Sequence, residues 1–289
     1  LYVHLFMFGW CERIWNETVK KFLSFDIVSK ENAKIKYVKK LAFNDNFRKR
    51  ERYFTAEGLR LCYDAFLSGV SIDEIYYTDE AAKKFSEKID ELISYAKRAY
   101  CVPGEILKEI SDTKTPQGIV CLCEKLDKQF SLNTISSENK IIALEDIQDP
   151  GNLGTILRTA EALGMNFIVM SKGCCDFYNP KVLRGSMGAA FRVKTFFADE
   201  ICNAIECLKK VDFKVLGAVP DKSASLITDV NLSGRIAIVV GNEGNGLTQG
   251  VLDVCSQKVT IPMLGRVESL NAAMAAGILM WEIMREVRG

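Results

Sequence analysis

Histidine is almost missing from this chain: His4 is the only one in 289 residues, and no Cys-x-x-Cys pair occurs. Zinc sites are built from closely spaced cysteine and histidine, so no metal centre is expected. The ten cysteines do not form a disulfide framework either. Cys121 and Cys123 are too close in sequence, Cys174 and Cys175 are adjacent, and most of the rest fall in apolar runs, which reads as reduced thiols in a cytoplasmic protein. Net charge is nearly absent as well, with 38 Lys and Arg against 37 Asp and Glu. A balance of +1 gives no global pull toward nucleic acid, so any basic footprint must be local. No membrane-spanning run is present: residues 1–10 are apolar but about half the length that crosses a bilayer. They also lack the basic lead and small-residue cleavage site of a signal peptide. Residues 1–26 are set apart as an N-terminal extension, since an opening Leu1 fits a non-standard start or an over-extended reading frame.

What is present is ample apolar material, 48% of the chain, at a length that suits two domains. Residues 30–60 hold ten cations against four acids, among them Lys39, Lys40, Arg48, Lys49, Arg50 and Arg52. Clustered cations on one face suit phosphate contact and hence RNA; the plainer alternative is a solvated helix surface. Strands at 53–54, 75–77 and 118–123, with helices at 58–66 and 81–99, make a compact α/β unit over residues 27–125. A polar linker is expected at 126–140. Residues 141–289 form the second domain, with short apolar strands at 141–144, 167–170, 193–196, 215–219, 236–240 and 259–261. Helices at 152–163, 200–210 and 269–287 separate or follow them, with a glycine-interrupted helix or turn at 180–191. This alternation predicts a mainly parallel sheet covered on both faces, with ligands beyond the carboxyl ends of its strands.

Three blocks in this second domain present backbone at strand-to-helix junctions. In Asp149-Pro150-Gly151-Asn152-Leu153-Gly154, Pro150 fixes the turn, the Asn152 amide caps or reaches across it, and Arg158 lies one helical turn on. Side chains lean toward a helix N-terminus, so Arg158 is expected over Gly154, where the missing side chain leaves room to meet an anion. The alternative is a surface arginine paired with Glu161 or another nearby acid. In Gly241-Asn242-Glu243-Gly244-Asn245-Gly246, Leu247 stands where a phosphate-loop lysine would be, and a dinucleotide fingerprint also fails for want of a downstream acid. Glu243 is either a loop-tying acid or a ligand contact. The third block runs Ile261-Pro262-Met263, then Ser269-Leu270-Asn271, where Ser269 or Asn271 can cap a small-residue helix.

In this order and spacing the blocks resemble the three motifs of the SpoU, or TrmH-like, family of SPOUT RNA methyltransferases, and Arg184-Gly185-Ser186-Met187-Gly188-Ala189 is similar to its serine- and glycine-rich segment. The resemblance runs from about residue 141 to the C-terminus. More loosely, Lys39-Lys40-Leu41, Arg48, residues 53–58 and residues 115–120 look like the ribosomal-protein-like RNA-binding domain that many members carry. The resemblance implies a SPOUT-type α/β-knot fold with a C-terminal trefoil knot, S-adenosylmethionine as cofactor, a homodimer, and methylation of a ribose 2′-oxygen, in ribosomal RNA rather than tRNA. By position it makes Asn152, Arg158, Glu243, Ser269 and Asn271 catalytic, and assigns the cofactor to the backbone around Gly241, Asn242, Gly246, Ile261, Met263 and Leu270. Two alternatives stand beside it: an RNA-binding protein with a silent knot domain, and a nicotinamide- or nucleotide-dependent α/β enzyme, which the missing fingerprints disfavour.

Overall fold

The computed structural model describes residues 24–127, 140–165 and 167–288. Most of the expected extension and linker lies outside these residues. The chain divides into two compact units between Lys125 and Leu126.

The first unit opens on β1 (Ser24–Asp26), so the last residues assigned to the extension belong to this unit's sheet, where they pair with a later strand. Next come α1 (Ala33–Phe43) and α2 (Asp45–Arg50), each started by an asparagine: Asn32 accepts from the Lys34 N–H and Asn44 from the Phe47 N–H. There follow β2 (Tyr53–Glu57), α3 (Leu59–Leu67), β3 (Ile72–Tyr77), α4 (Asp79–Lys84), α5 (Ser86–Tyr95), β4 (Arg98–Cys101), α6 (Gly104–Ile110) and β5 (Ile119–Glu124). The sheet order is β1-β4-β3-β5-β2, with β1, β4 and β3 parallel and β5 antiparallel to both β3 and β2. Ile35 and Val38 of α1 close its core over Tyr76 and Tyr100, whose rings stack at 5.2 Å.

The single helix expected at 81–99 is instead two helices and the start of a strand. Helical spacing stops at the Ala96 cap, and Ala99 and Tyr100 are buried between β1 and β3. Pairing across the sheet outweighs local propensity there.

The second unit contains β6 (Lys140–Leu144), α7 (Pro150–Leu163), β7 (Phe167–Ser171), α8 (Pro180–Ser186), α9 (Ala189–Arg192), β8 (Lys194–Ala198), α10 (Ile201–Lys210), β9 (Lys214–Ala218) and β10 (Ser225–Leu226). It ends with β11 (Ile236–Val240), α11 (Gln249–Val254), β12 (Gln257–Thr260) and α12 (Ala272–Arg288). All seven strands are parallel, in the order β10-β12-β9-β11-β6-β7-β8. Every residue of β6, β7 and β11 is buried, as strands covered on both faces must be. One face packs Ile141, Val169, Ala237 and Val239 against Ile201, Ile205 and Leu208 of α10, while α12 packs on α7, β6 and β11. Each such Leu or Ile contributes roughly 2 kcal/mol by leaving water.

Helix α7 is set by its ends. The Asp149 carboxylate accepts from the Asn152 N–H at 2.8 Å, Pro150 occupies the first turn, and Gly164 closes the helix at φ 84°. Gly154 does not make room for Arg158, as the sequence suggested. A Cβ there would lie 2.9 Å from the Val182 carbonyl and 3.1 Å from Gly185, so the space is filled by the backbone of α8.

Arg48, assigned to RNA contact, is fully buried. Its guanidinium donates to the Leu41 and Ala42 carbonyls, which end α1 without helical partners, and to the Asp45 carboxylate. It pins α2 to α1 and faces no solvent. Arg48→Ala, which removes these donors and leaves a cavity, is expected to lower stability by roughly 3 kcal/mol in denaturant melts. An unchanged melt would show that the two helices do not depend on it.

Candidate active site

The loops that follow β6, β11 and β12 all lie at the carboxyl end of the parallel sheet. β6 leads on to β7 and β8 on one side while β11 lies on the other, so the strand order reverses at β6, the position outside which open parallel sheets take their ligands.

Loop 241–248 folds on itself. Asn242 and Gly246 exchange backbone hydrogen bonds at 3.1 and 2.9 Å, and the Asn242 side-chain oxygen accepts from the Gly244 and Asn245 N–H groups. A Cβ on Gly241 would come within 2.4 Å of Gly246, and Gly246 itself sits at φ +68°, so neither tolerates a side chain without opening the turn. Thr248 is held by the buried Glu145 carboxylate, which accepts from its N–H at 2.9 Å and its hydroxyl at 2.7 Å.

The first loop is fixed from two sides. Asp146 has φ 54°, its carboxylate accepts from the Ser171 hydroxyl at 2.6 Å, and its carbonyl accepts from the Asn242 amide at 2.9 Å. Glu243 then reaches across and accepts from the Gln148 N–H (3.0 Å), the Asp149 N–H (3.1 Å) and the Asn152 Nδ2 (2.9 Å). Of the two roles left open for Glu243, loop tying is the one its oxygens perform here. The Asn152 oxygen in turn accepts from the Asn271 amide at 2.9 Å. The Asn271 oxygen caps α12 through the Ala273 and Met274 N–H groups. One hydrogen-bonded chain, Glu243 to Asn152 to Asn271, therefore joins all three loops.

Arg158 and Ser269 are both exposed, and among the described residues neither has a hydrogen-bond or ion-pair partner. The alternative pairing of Arg158 with Glu161 does not form, because Glu161 is bound by Arg192. Ile261 and Met263 are half-buried, Leu270 is 40% exposed, and residues 261–270 make no backbone hydrogen bond among the described residues. Helix α12 begins at Ala272, three residues later than expected, because Asn271 and not Ser269 supplies the cap.

Sequence reasoning missed Glu145, Asp146, Gln148, Ser171 and Thr248. Two acids directly after a buried strand were a visible signal for Glu145 and Asp146; Ser171 offered none. Burial pushes the Cys174 thiol up to about 11 and Cys175 up to about 12, so neither supplies a thiolate near neutrality. Among the described residues no group of His, Cys, Asp or Glu is placed to hold a metal, and no helix is long and apolar enough to cross a membrane.

In the first unit the basic residues divide. Lys39 pairs with Glu109 and Arg52 with Glu124, Arg48 is buried, and Lys40, Lys49 and Arg50 remain exposed without an acidic partner among the described residues.

Partial burial raises the Glu243 carboxyl pKa, but the donors from Asn152, Gln148 and Asp149 outweigh this and hold it below the ordinary carboxylate value. A carboxyl lowered on folding adds stability that is fully present above its unfolded pKa, near 4.3, and is lost as pH falls through the folded value. The melting-temperature advantage of the parent over Glu243→Gln should therefore be flat from about pH 7 to about pH 5 and shrink below about pH 4. An advantage that grows with acid would contradict the arrangement.

Two family profiles match the chain: the SpoU rRNA Methylase family over residues 139–281 and the MRM3-like substrate binding domain over residues 32–121. The chain is 30% identical over 257 residues to the 23S rRNA (guanosine(2553)-2'-O)-methyltransferase RlmP of Bacillus subtilis, covering 89% of this chain and 98% of that one. It is 30% identical over 260 residues to an uncharacterized tRNA/rRNA methyltransferase of Synechocystis, covering 90% and 93%. Among solved structures, the AdoMet-bound rRNA methyltransferase from Sinorhizobium meliloti superposes with a TM-score of 0.81 at 26% identity, covering 92% of this chain and 99% of that one. With near full-length relatives aligned across both units, the chain belongs to the SpoU rRNA methylase family.

Proposed function

We propose that the protein transfers a methyl group from S-adenosylmethionine to a ribose 2′-hydroxyl of ribosomal RNA. The observation that carries this reading is the Glu243–Asn152–Asn271 chain, which ties three loops together at the carboxyl end of the sheet, with Arg158 exposed on the helix that starts in the first of them and without a partner among the described residues. The names of the RlmP relative and the AdoMet-bound structure agree in reaction and cofactor.

The residues fit the cofactor. The turn at Gly241, Asn242 and Gly246 keeps backbone clear of side chains, and residues 261–270 offer unpaired N–H and C=O groups beside the apolar Ile261, Met263 and Leu270. When bound, the cofactor supplies an electrophilic sulfonium methyl. In-line attack by a hydroxyl oxygen needs alignment above all, which rigid loops provide. Asn152, Glu243 and Asn271 act as positioning residues, because their polar groups are spent on one another and on the loops. Arg158 and Ser269 keep theirs free to meet the substrate. A guanidinium does not give up its proton, so Arg158 acts by stabilising negative charge that develops on the attacking oxygen.

The same reading includes RNA contact through Lys40, Lys49 and Arg50, and a cytoplasmic protein with reduced thiols. It includes a homodimer, supported by Met274, Ile278 and Trp281, which form an exposed apolar stripe along α12. It also includes a C-terminal trefoil knot, supported by the return of α12 onto α7, β6 and β11.

Calorimetry should register S-adenosylhomocysteine and not NAD or ATP. In single-turnover assays on ribosomal RNA, Arg158→Ala should slow methyl transfer by about 10²- to 10³-fold with cofactor affinity unchanged, and Arg158→Lys should recover part of the loss. Full-speed transfer by the alanine variant would remove Arg158 from the chemistry, and transfer to a base instead of a ribose would overturn the 2′-oxygen as acceptor.

A further inference from the structure

The first unit carries a cleft of about 330 Å³ at the end of its sheet where β2, β3 and β4 begin. This volume falls within the range of small-ligand sites. The half-buried rings of Tyr37 and Tyr53 line it, together with Asp73, Glu74, Lys34 and Arg98.

Its charges are already paired. Arg98 binds both Asp73 and Glu74, Lys34 binds Glu74, and Lys97 bridges Asp73 and Glu124, so every carboxylate of the cleft has two cations on it and every cation is held by an acid. A phosphate entering the cleft would meet the acids, and a divalent cation would have to displace the two bases already there. A flat, uncharged molecule with hydrogen-bonding edges meets neither obstacle. Aromatic walls supply stacking, and the Lys34 and Arg98 side chains, 38% and 47% exposed beside their buried carboxylates, have more donors than those ion pairs use.

The surface beside the cleft shows where such a molecule comes from. The Tyr37 ring meets Phe47 edge-on at 5.7 Å, Lys40 lies over Phe47 at 5.7 Å, and Phe43 is 51% exposed. Lys49 and Arg50 stand exposed on α2 without acidic partners among the described residues. Rings interleaved with uncommitted cations are the surface that a single strand follows, its bases on the rings and its phosphates on the cations. We infer that the cleft receives one unpaired nucleobase of the RNA, while the adjoining backbone runs over Lys40, Lys49 and Arg50. This rests on the RNA reading above and adds that the first unit selects a single-stranded or looped-out segment over a duplex.

The test uses the full chain with a single-stranded RNA of about a dozen nucleotides carrying 2-aminopurine, and with the same sequence as a duplex. Wild-type protein should quench the probe in the single strand and not in the duplex. Tyr53→Leu should weaken single-strand binding about tenfold, the scale of one base–aromatic stack, without changing its salt dependence. The double variant Lys49→Ala/Arg50→Ala should instead weaken both RNAs and flatten the salt dependence. Equal affinity of Tyr53→Leu and parent for the single strand, at unchanged melting temperature, would overturn the inference. Should that variant melt early, the wild-type quench decides alone, and an unquenched probe is equally fatal. RNA that quenches but accepts no methyl group would sink the methyltransferase reading and leave the cleft standing; methylation with no quench would do the reverse.

Discussion

The carboxylate of Glu243 makes one site out of three separate loops. It stands on the turn after β11 and takes donors from two backbone N–H groups and one side-chain amide of the loop after β6. The amide it binds, Asn152, is bonded in turn to the residue that starts the last helix. A surface carboxylate would contribute little by itself. Three donors converging on one acid fix the relative positions of the loops and hold it ionised near neutrality. The rest of the second unit serves this geometry. The parallel sheet brings the loops to one edge, the Glu145–Thr248 and Asp146–Ser171 pairs hold the loop roots, and two glycines let the turn close on its own backbone.

Once the amides are tied to each other, polar groups sort themselves by availability. Those bonded within the loops fix the loops' shape, while Arg158 and Ser269 are exposed and without a partner among the described residues. Helix α7 produces this division by its pitch: Ile156, Leu157 and Ala160 go to the core, Glu161 goes to Arg192, and Arg158 lies between, exposed. Residues 261–270 show the same logic in backbone form, since a segment that makes no backbone hydrogen bond among the described residues has those groups to offer.

The first unit shows how far a count of charges can mislead. Ten cations between residues 30 and 60 outnumber the acids in that stretch, yet Glu74, Glu109 and Glu124 return from distant positions to pair with Lys34, Lys39 and Arg52. Arg48, embedded in the most basic run, is the least exposed of all, because the carbonyls that end α1 need a donor that local backbone does not supply. The set of exposed cations without an acidic partner among the described residues is smaller than the basic patch read from the chain, and it is bordered by aromatic rings.

By itself the sequence determined the alternation of apolar strands and helices, the placement of three glycine- and asparagine-rich junctions at strand ends, and the family they resemble. These are local properties, written in periodicity and in residues whose backbone preferences act over a few positions. The tertiary structure alone decided which polar groups meet. Glu243 and Asn152 are 91 residues apart and Asn152 and Asn271 are 119 apart, and no local rule connects them. It also decided that Gly154 admits a helix and not a guanidinium, that residues 98 and 99 leave the helical pattern to open a strand, and that Arg48 is a strut. Packing and hydrogen-bond partners are set by what the fold brings alongside, and a side chain's chemistry says what it can bind without saying what will be near it.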